Sequence, residues 1–367
     1  MQEAPKINKE NINRFLCPSC GANMTFDAKL GKLACPYCAH AQEIAADGKV
    51  DERDYYEFLE RGQQNLQPMA QNAMQVRCDG CGAIVNFTPP ETATWCDFCG
   101  GKIVAQPKAA DPLVAPEGVL PFSVPQPQAV SNFNKWLSSL WFAPSALKTM
   151  ASADKLSSIY IPYWTYDAST SSFYNGERGD WYYETEYYEE NGEQRSREVR
   201  YTNWYPRNGQ VARHFDDVCI PATTSLPEKY IQKLEPWDLN ELKSYEPAFL
   251  AGHKAQTYQI ALDQGFEKFK TIAEGVIYND VRYDIGGDEQ RVHNVSTQYG
   301  DITFKHLLLP IYAGAYRFNG KVFQIVVNGR TGEVQGERPY SWMKIGCLAF
   351  VILAIILFII ILIAATR

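Results

Sequence analysis

Residues 181–205 read WYYETEYYEENGEQRSREVRYTNWY, two aromatic and charged runs that meet at Asn191-Gly192. Asn-Gly suits a two-residue type I′ turn, in which both central residues take positive φ. The turn sets the register, with Glu186 opposite Arg197, Tyr182 opposite Tyr201 and Tyr183 opposite Arg200. An acidic strand thus pairs with a basic one, each cross-strand pair contributing roughly 0.2–1 kcal/mol. The charges read as a solvated sheet face. The aromatic stripe could instead grip a partner's side chains or a nucleobase.

Working outward, SIYIPYWTYDAS (158–169) reads as a strand broken by Pro162. Before it, VLPFSV (119–124) reads as a strand. Residues Gln126 to Leu140 form an amphipathic helix with Phe133, Trp136, Leu137 and Leu140 on one side. Downstream, Ser225 to Tyr283 looks mainly helical, with apolar repeats through Tyr258, Leu262, Phe266 and Phe269. The chain then returns to strands over 306–336, where Asn319-Gly320 makes a second tight hairpin and sets Tyr316 against Phe323. Strands, helices, then strands predict an aromatic-rich α+β domain over 119–340 with an antiparallel sheet.

The cysteines carry a second message. Eight of the ten fall into four CxxC pairs: Cys17/Cys20, Cys35/Cys38, Cys78/Cys81 and Cys96/Cys99. Each quartet has 14 residues between its pairs, and the second is the first displaced by 61 positions. Gly21 and Gly82, Ala22 and Ala83, and Phe26 and Phe87 match at the same offset, so a small unit is duplicated. Zinc prefers four tetrahedral ligands, and each CxxC turn offers two thiolates to one ion. The pattern predicts two zinc ribbons, 17–44 and 78–104, each with one structural zinc ion and no open coordination position. Disulfides are disfavoured in a reducing cytoplasm. His40 reads as a loop histidine, since four sulfurs suffice. Ala39 stands where the second knuckle has Gly100, and at positive φ it would cost about 1 kcal/mol. A polar arm (1–16) precedes the ribbons. The segment 45–77 joins them through a short helix in 50–65, carrying Tyr55, Tyr56, Phe58 and Leu59, that either packs on the ribbons or docks a partner. A linker follows at 105–118, rich in Pro and Ala.

The termini bear on compartment. No apolar run follows Met1, so no secretory signal peptide is expected. From Ile345 to Thr366 run 22 uncharged residues, 15 of them Ile, Leu, Phe or Val. As a helix they reach ~33 Å, enough for a hydrocarbon core of ~30 Å. Lys344, Arg338 and Arg330 precede this stretch and only Arg367 follows it. Positive-inside logic predicts a single-pass protein of the plasma membrane with its bulk in the cytoplasm.

The 367 residues have a formal charge of −7. Eight thiolates and two zinc ions add −8 and +4, giving −11 for a fully metallated chain. Neither ribbon carries a basic stripe, which argues against strong nucleic-acid binding and for protein partners. There is no P-loop G-x-x-x-x-G-K-[ST], no H-E-x-x-H and no nucleophile elbow, so no catalytic residue is assigned. The densest polar cluster, RHFDDVC (213–219), reads as a loop beside a strand. Cys219 reads as a core residue. Cys347, at the membrane boundary, reads as packing or as an acylation site.

Several motifs together resemble a group of bacterial membrane-anchored double zinc-ribbon proteins, often labelled primosomal protein N′ (replication factor Y) helicase-like. They are CPSCGANMTFD (17–27), the second CxxCGA ribbon, VLPFSV, KWLSSLWFAP (135–144), YIPYWTYDA (160–168) and NGRTGEVQGERPYSWMKI (328–345) before the terminal span. The chain is also similar to the zinc-ribbon membrane anchor encoded beside phage-shock protein A and a stomatin-like (SPFH) protein in bacilli. That resemblance implies a scaffold in envelope stress that brings such peripheral proteins to the membrane. The combined expectation is a non-enzymatic adaptor whose α+β domain binds a partner or assembles as a homo-oligomer. The alternatives are a membrane-tethered nucleic-acid-binding protein without motor activity of its own, and a hydrolase using the aromatic domain.

Overall fold

The computed structural model describes residues 15–46, 49–61, 74–78, 83–87, 93–96, 98, 102–104, 108–109, 114–144, 156–319 and 321–365. Near the N-terminus β1 (Thr25–Asp27), β2 (Lys32–Ala34) and β3 (Ala41–Gln42) form a small antiparallel sheet. Next come β4 (Arg53–Asp54) and α1 (Tyr55–Arg61). Short strands β5 (Met74–Arg77), β6 (Ile84–Phe87), β7 (Ala93–Trp95), β8 (Lys102–Val104) and β9 (Lys108–Ala109) make two further small sheets. The main body holds β10 (Gly118–Val119), α2 (Gln126–Ser139), β11 (Ser157–Glu190), β12 (Glu193–Pro221) and α3 (Glu228–Ile231). It continues with β13 (Lys243–Ser244), β14 (Lys254–Ala255), α4 (Leu262–Ile285), β15 (Glu289–Phe318), β16 (Lys321–Asn328) and β17 (Val334–Gly336). The apolar α5 (Trp342–Ala365) closes the chain.

The result is an α+β protein built on a nine-stranded sheet in the order β12-β11-β15-β10-β13, with β4, β14, β16 and β17 added to it. The pairings are antiparallel apart from two short ones, β10 with β15 and β11 with β14. The hairpin of β11 and β12 dominates. Its register sets Glu186 against Arg197, Tyr182 against Tyr201 and Tyr183 against Arg200. Asn191 and Gly192 take φ of 57° and 82°, as the turn requires. The Tyr182 and Tyr201 rings stack at 5.6 Å, and Arg197 donates to Glu186 at 2.8 Å. In the second hairpin Tyr316 faces Phe323, their rings 5.3 Å apart and nearly parallel.

Four local expectations need correction. Pro162 does not break its strand, because β11 runs through it. Its carbonyl accepts the Ala222 N–H at 2.9 Å, while the Ala222 carbonyl accepts the Gln259 N–H at 2.7 Å. The donor that proline lacks therefore leaves no acceptor orphaned. The helix in 225–283 occupies only its second half, as α4. Pro227, Pro236 and Pro247 cut the first half into short turns. RHFDDVC lies within β12 rather than in a loop, at a bulge where Asp217 takes φ 50°. VLPFSV contributes only Val119 to a strand before the chain bends.

α4 packs its Phe266, Phe269, Ala273, Ile277 and Val281 stripe against β11, β12 and β15. Each of the larger side chains contributes roughly 1.5–3 kcal/mol on full burial. Its start is pinned to β11. Trp164 Nε1–H donates to the Ile260 carbonyl at 2.9 Å, and Tyr166 Oη–H to that of Leu262 at 2.5 Å. Gly265 permits this approach, since a Cβ there would lie 2.9 Å from Trp164 Cδ1 and closer still to Tyr166 Oη.

His253 stacks on Phe122 at 4.5 Å and meets the edges of Phe26 and Tyr160. Burial lowers its pKa to about 4. The unfolded chain takes up that proton near pH ~6.5. A depressed histidine pKa gives stability that is present above ~6.5 and lost as pH falls toward 4. His253→Phe keeps the stacking and removes the titration. Urea melts at pH 7 and pH 5 should therefore show a pH-dependent loss smaller by about 1–2 kcal/mol in the variant. An unchanged difference would assign the acid sensitivity elsewhere.

Candidate metal centre

Two backbone turns of the same design build the site. In the first, Cys17 N–H donates to the Ala22 carbonyl at 2.7 Å and Gly21 N–H returns to the Cys17 carbonyl at 2.8 Å. In the second, Cys35 N–H donates to the His40 carbonyl at 2.8 Å and Ala39 N–H to the Cys35 carbonyl at 3.0 Å. Gly21 and Ala39 close them with φ of 74° and 59°. Ala39 therefore does occupy a left-handed position that favours glycine.

The turns bring the sulfurs of Cys17, Cys20, Cys35 and Cys38 within 4.8 Å of one another. Cys17 Sγ lies 3.5 Å from Cys38 Sγ, and Cys20 Sγ lies 3.5 Å from Cys35 Sγ. Four sulfurs ~2.3 Å from a tetrahedral ion stand ~3.8 Å apart, so this cluster can hold a zinc ion. Cys17 and Cys35 are buried and Cys20 and Cys38 exposed. The N–H groups of Cys38 and Tyr37 lower the Cys35 thiol to about 6. Cys17 is also lowered, because N–H groups from Ser19 and Cys20 outweigh its burial. Cys38, although its sulfur receives an N–H from His40, is pushed up to about 12 by its sulfur neighbours and burial. One thiolate thus suppresses the next, and a dication in the centre removes that conflict. His40 Nδ1 faces Ser19 Oγ at 3.3 Å, outside the sulfur group.

Of the second quartet, Cys78 and Cys96 are buried, and Cys81 and Cys99 lie outside the described residues. Cys78 N–H donates to the Ala83 carbonyl at 2.7 Å, the counterpart, 61 positions on, of the bond from Cys17 to Ala22. Cys78, Ala83, Cys96 and Phe98 join a core cluster with Tyr163, Ile231, Leu234 and Trp237.

Both cysteine regions are packed on the main body, which the sequence did not announce. Phe26 N–H donates to the Ala251 carbonyl at 2.8 Å, and its ring meets Phe249 edge-on at 5.6 Å. α1 also docks on the main body rather than on the ribbons. Tyr55 packs on Phe266 at 4.7 Å and Phe58 on Phe304 at 5.1 Å. Beside it an ion-pair lock holds β4 to β15. Lys305, 6% exposed, reaches Asp217 at 2.5 Å and Glu52 at 3.1 Å, while Arg53 pairs with Glu117 at 2.7 Å. Burial raises Glu117 to about 7 despite Arg53. The lock pairs acid with base across distant segments and binds the two halves of the chain together. Cys219 is half-buried beside it, its thiol pushed well up by burial and by the charges of Glu235 and Asp217.

At the other end, the most apolar 18-residue stretch within Trp342–Leu362 of α5 has a mean hydropathy of 3.5 and no buried residue. By length and composition this helix can cross a membrane. Cys347 lies exposed on it.

Among known proteins, the uncharacterized protein YdjG of Bacillus subtilis (strain 168) is 27% identical to this chain over 347 residues. The match covers 91% of this chain and 92% of YdjG. No family model matches the chain, and no solved structure matches it.

Proposed function

We propose that the protein is a non-enzymatic, tail-anchored adaptor that presents zinc ribbons on the cytoplasmic face of the plasma membrane and recruits protein partners there. The observation that carries this reading is the continuity of the chain. A four-cysteine cluster is packed on the main body, and the last strand of its sheet leads within six residues into an apolar helix. Each quartet holds one structural zinc: Cys17, Cys20, Cys35 and Cys38 in the first, Cys78, Cys81, Cys96 and Cys99 in the second. The repeated Cys78–Ala83 hydrogen bond supports the second site. By resemblance, the partners are phage-shock protein A-like or SPFH proteins and the setting is envelope stress.

Crosslinking in membranes followed by pull-down of the full-length chain tests this. A defined set of peripheral proteins should be recovered, and the same proteins should leave the membrane when α5 is deleted. Recovery of abundant bystanders alone contradicts the adaptor. In a mobility-shift assay at about 0.15 M salt, tight salt-sensitive DNA binding would favour the nucleic-acid reading instead.

A further inference from the structure

Between β17 and α5 the chain reads ERPYS, residues 337–341. Beside this connection lies a cleft of about 600 Å³. Lys229, Lys233 and Arg338 line it together with Trp136, Tyr230 and Tyr340. One carboxylate stands among the cations: Glu337 Oε1 is 3.9 Å from Lys229 Nζ. Lys233 and Arg338 have no carboxylate partner among the described residues. Arg338 lies against Tyr340, its Nε 3.4 Å from the phenol oxygen, and Lys229 Nζ sits 4.7 Å from the Tyr230 ring centroid. Three cations and one carboxylate leave the cleft a net positive charge.

The cleft is tied to the start of the apolar helix. Arg338 precedes Trp342 by four residues, which limits their separation to ~14 Å of chain. Ser341 N–H donates to the Phe142 carbonyl at 2.7 Å. Lys344 Nζ donates to the carbonyls of Trp141 at 3.1 Å and Ala143 at 2.8 Å. These bonds fix the turn after α2 to the first turn of α5. Trp141, Tyr340 and Trp342 are 74%, 54% and 83% exposed there. Exposed aromatics at the mouth of an apolar helix suit the headgroup layer, where amphipathic rings collect.

We propose that this cleft binds the phosphate of an anionic lipid headgroup from the leaflet that α5 enters. The proposal rests on α5 spanning the bilayer and adds a lipid preference to the anchor. Two ammonium groups and a guanidinium supply charge-assisted N–H donors to phosphate oxygens. Basic pockets beside spans hold such headgroups. A choline headgroup brings a cation of its own toward three others and gains less. Free phosphate has the same anionic chemistry but lacks the acyl chains that would hold it at the mouth of the helix.

The test uses the full-length chain in mixed micelles with equimolar phosphatidylglycerol and phosphatidylcholine, and native mass spectrometry to count retained lipids. Phosphatidylglycerol should be retained over phosphatidylcholine, and K229Q/K233Q/R338Q should lower that preference about tenfold or more. The charge-matched R195Q/R197Q/R200Q, on the distant hairpin, should keep it. Equal retention of both lipids by the native chain overturns the proposal. So does an equal loss in the two triple variants, or binding of inorganic phosphate with no preference between the lipids. Carbonate extraction of membranes reads the anchor separately. A chain that resists extraction and shows no lipid preference refutes the cleft alone, and a chain that is extracted refutes the span beneath it.

Discussion

A chain truncated after Ser341 should appear wholly in the soluble fraction, while the full-length chain resists carbonate extraction. The stretch from Ile345 to Thr366 holds 15 large apolar residues. At roughly 0.3–0.6 kcal/mol each, they favour insertion by about 5–9 kcal/mol. α5 buries none of its most apolar stretch against the rest of the chain, so the sheet loses no core when it is removed. A gentler variant makes the same point without changing chain length. Leu353→Arg with Ile356→Arg costs about 2.5–3.5 kcal/mol per arginine near the bilayer centre, close to the whole gain. That chain should partition largely into the supernatant. Retention of the truncated chain in carbonate-washed membranes would mean that the folded body, rather than α5, holds the protein there.

Replacing Cys35 by Ser should remove one zinc ion per chain and loosen residues 15–46 from the main body. Cys17 and Cys35 are the buried pair of the quartet, packed with Met24, Leu33 and Ala248. β1 and β2 are three residues each, too short to hold together without a staple. In small zinc domains metal binding supplies about 10–16 kcal/mol of apparent folding free energy. A serine hydroxyl stays neutral and leaves three thiolates, so most of that support goes. Metal analysis of the purified chain should give two zinc ions for the native protein and one for Cys35→Ser. Protease should then cut near Thr25, where the native chain is held by the Phe26–Ala251 hydrogen bond. Unchanged zinc content in Cys35→Ser would exclude this quartet as the ligand set, and fewer than two ions in the native chain would make one quartet vestigial.

Where a short motif fixes geometry, the sequence was legible. Asn191-Gly192 dictates a turn with two positive φ values, and that turn propagates a register over many residues, so Glu186–Arg197 and Tyr182–Tyr201 follow. CxxC spacing works the same way, because two residues between cysteines build one knuckle whatever surrounds it. The length of β11 was not legible. Pro162 is a strand breaker by type, and the N–H groups that Gln259 and Ile260 give to the Ala222 carbonyl make it harmless. Apolar spacing over 225–283 suits a helix, but Pro227, Pro236 and Pro247 interrupt its first half. Contacts between distant segments left no local trace at all. Lys305, Asp217 and Glu52 are ordinary charges in the sequence, and a bulge at Asp217 with the added strand β4 brings them together.

The central claim is that the ribbons recruit partners to a membrane to which α5 ties them. Crosslinking mass spectrometry on intact membranes, comparing the native chain with Cys17→Ser/Cys35→Ser, tests it most directly. The adaptor account predicts that crosslinks from ribbon lysines Lys29 and Lys32 to a peripheral protein disappear in the variant. That protein should also move to the soluble fraction while the variant itself stays in the membrane. Identical crosslinks and identical membrane association of the captured protein in both chains would contradict the account.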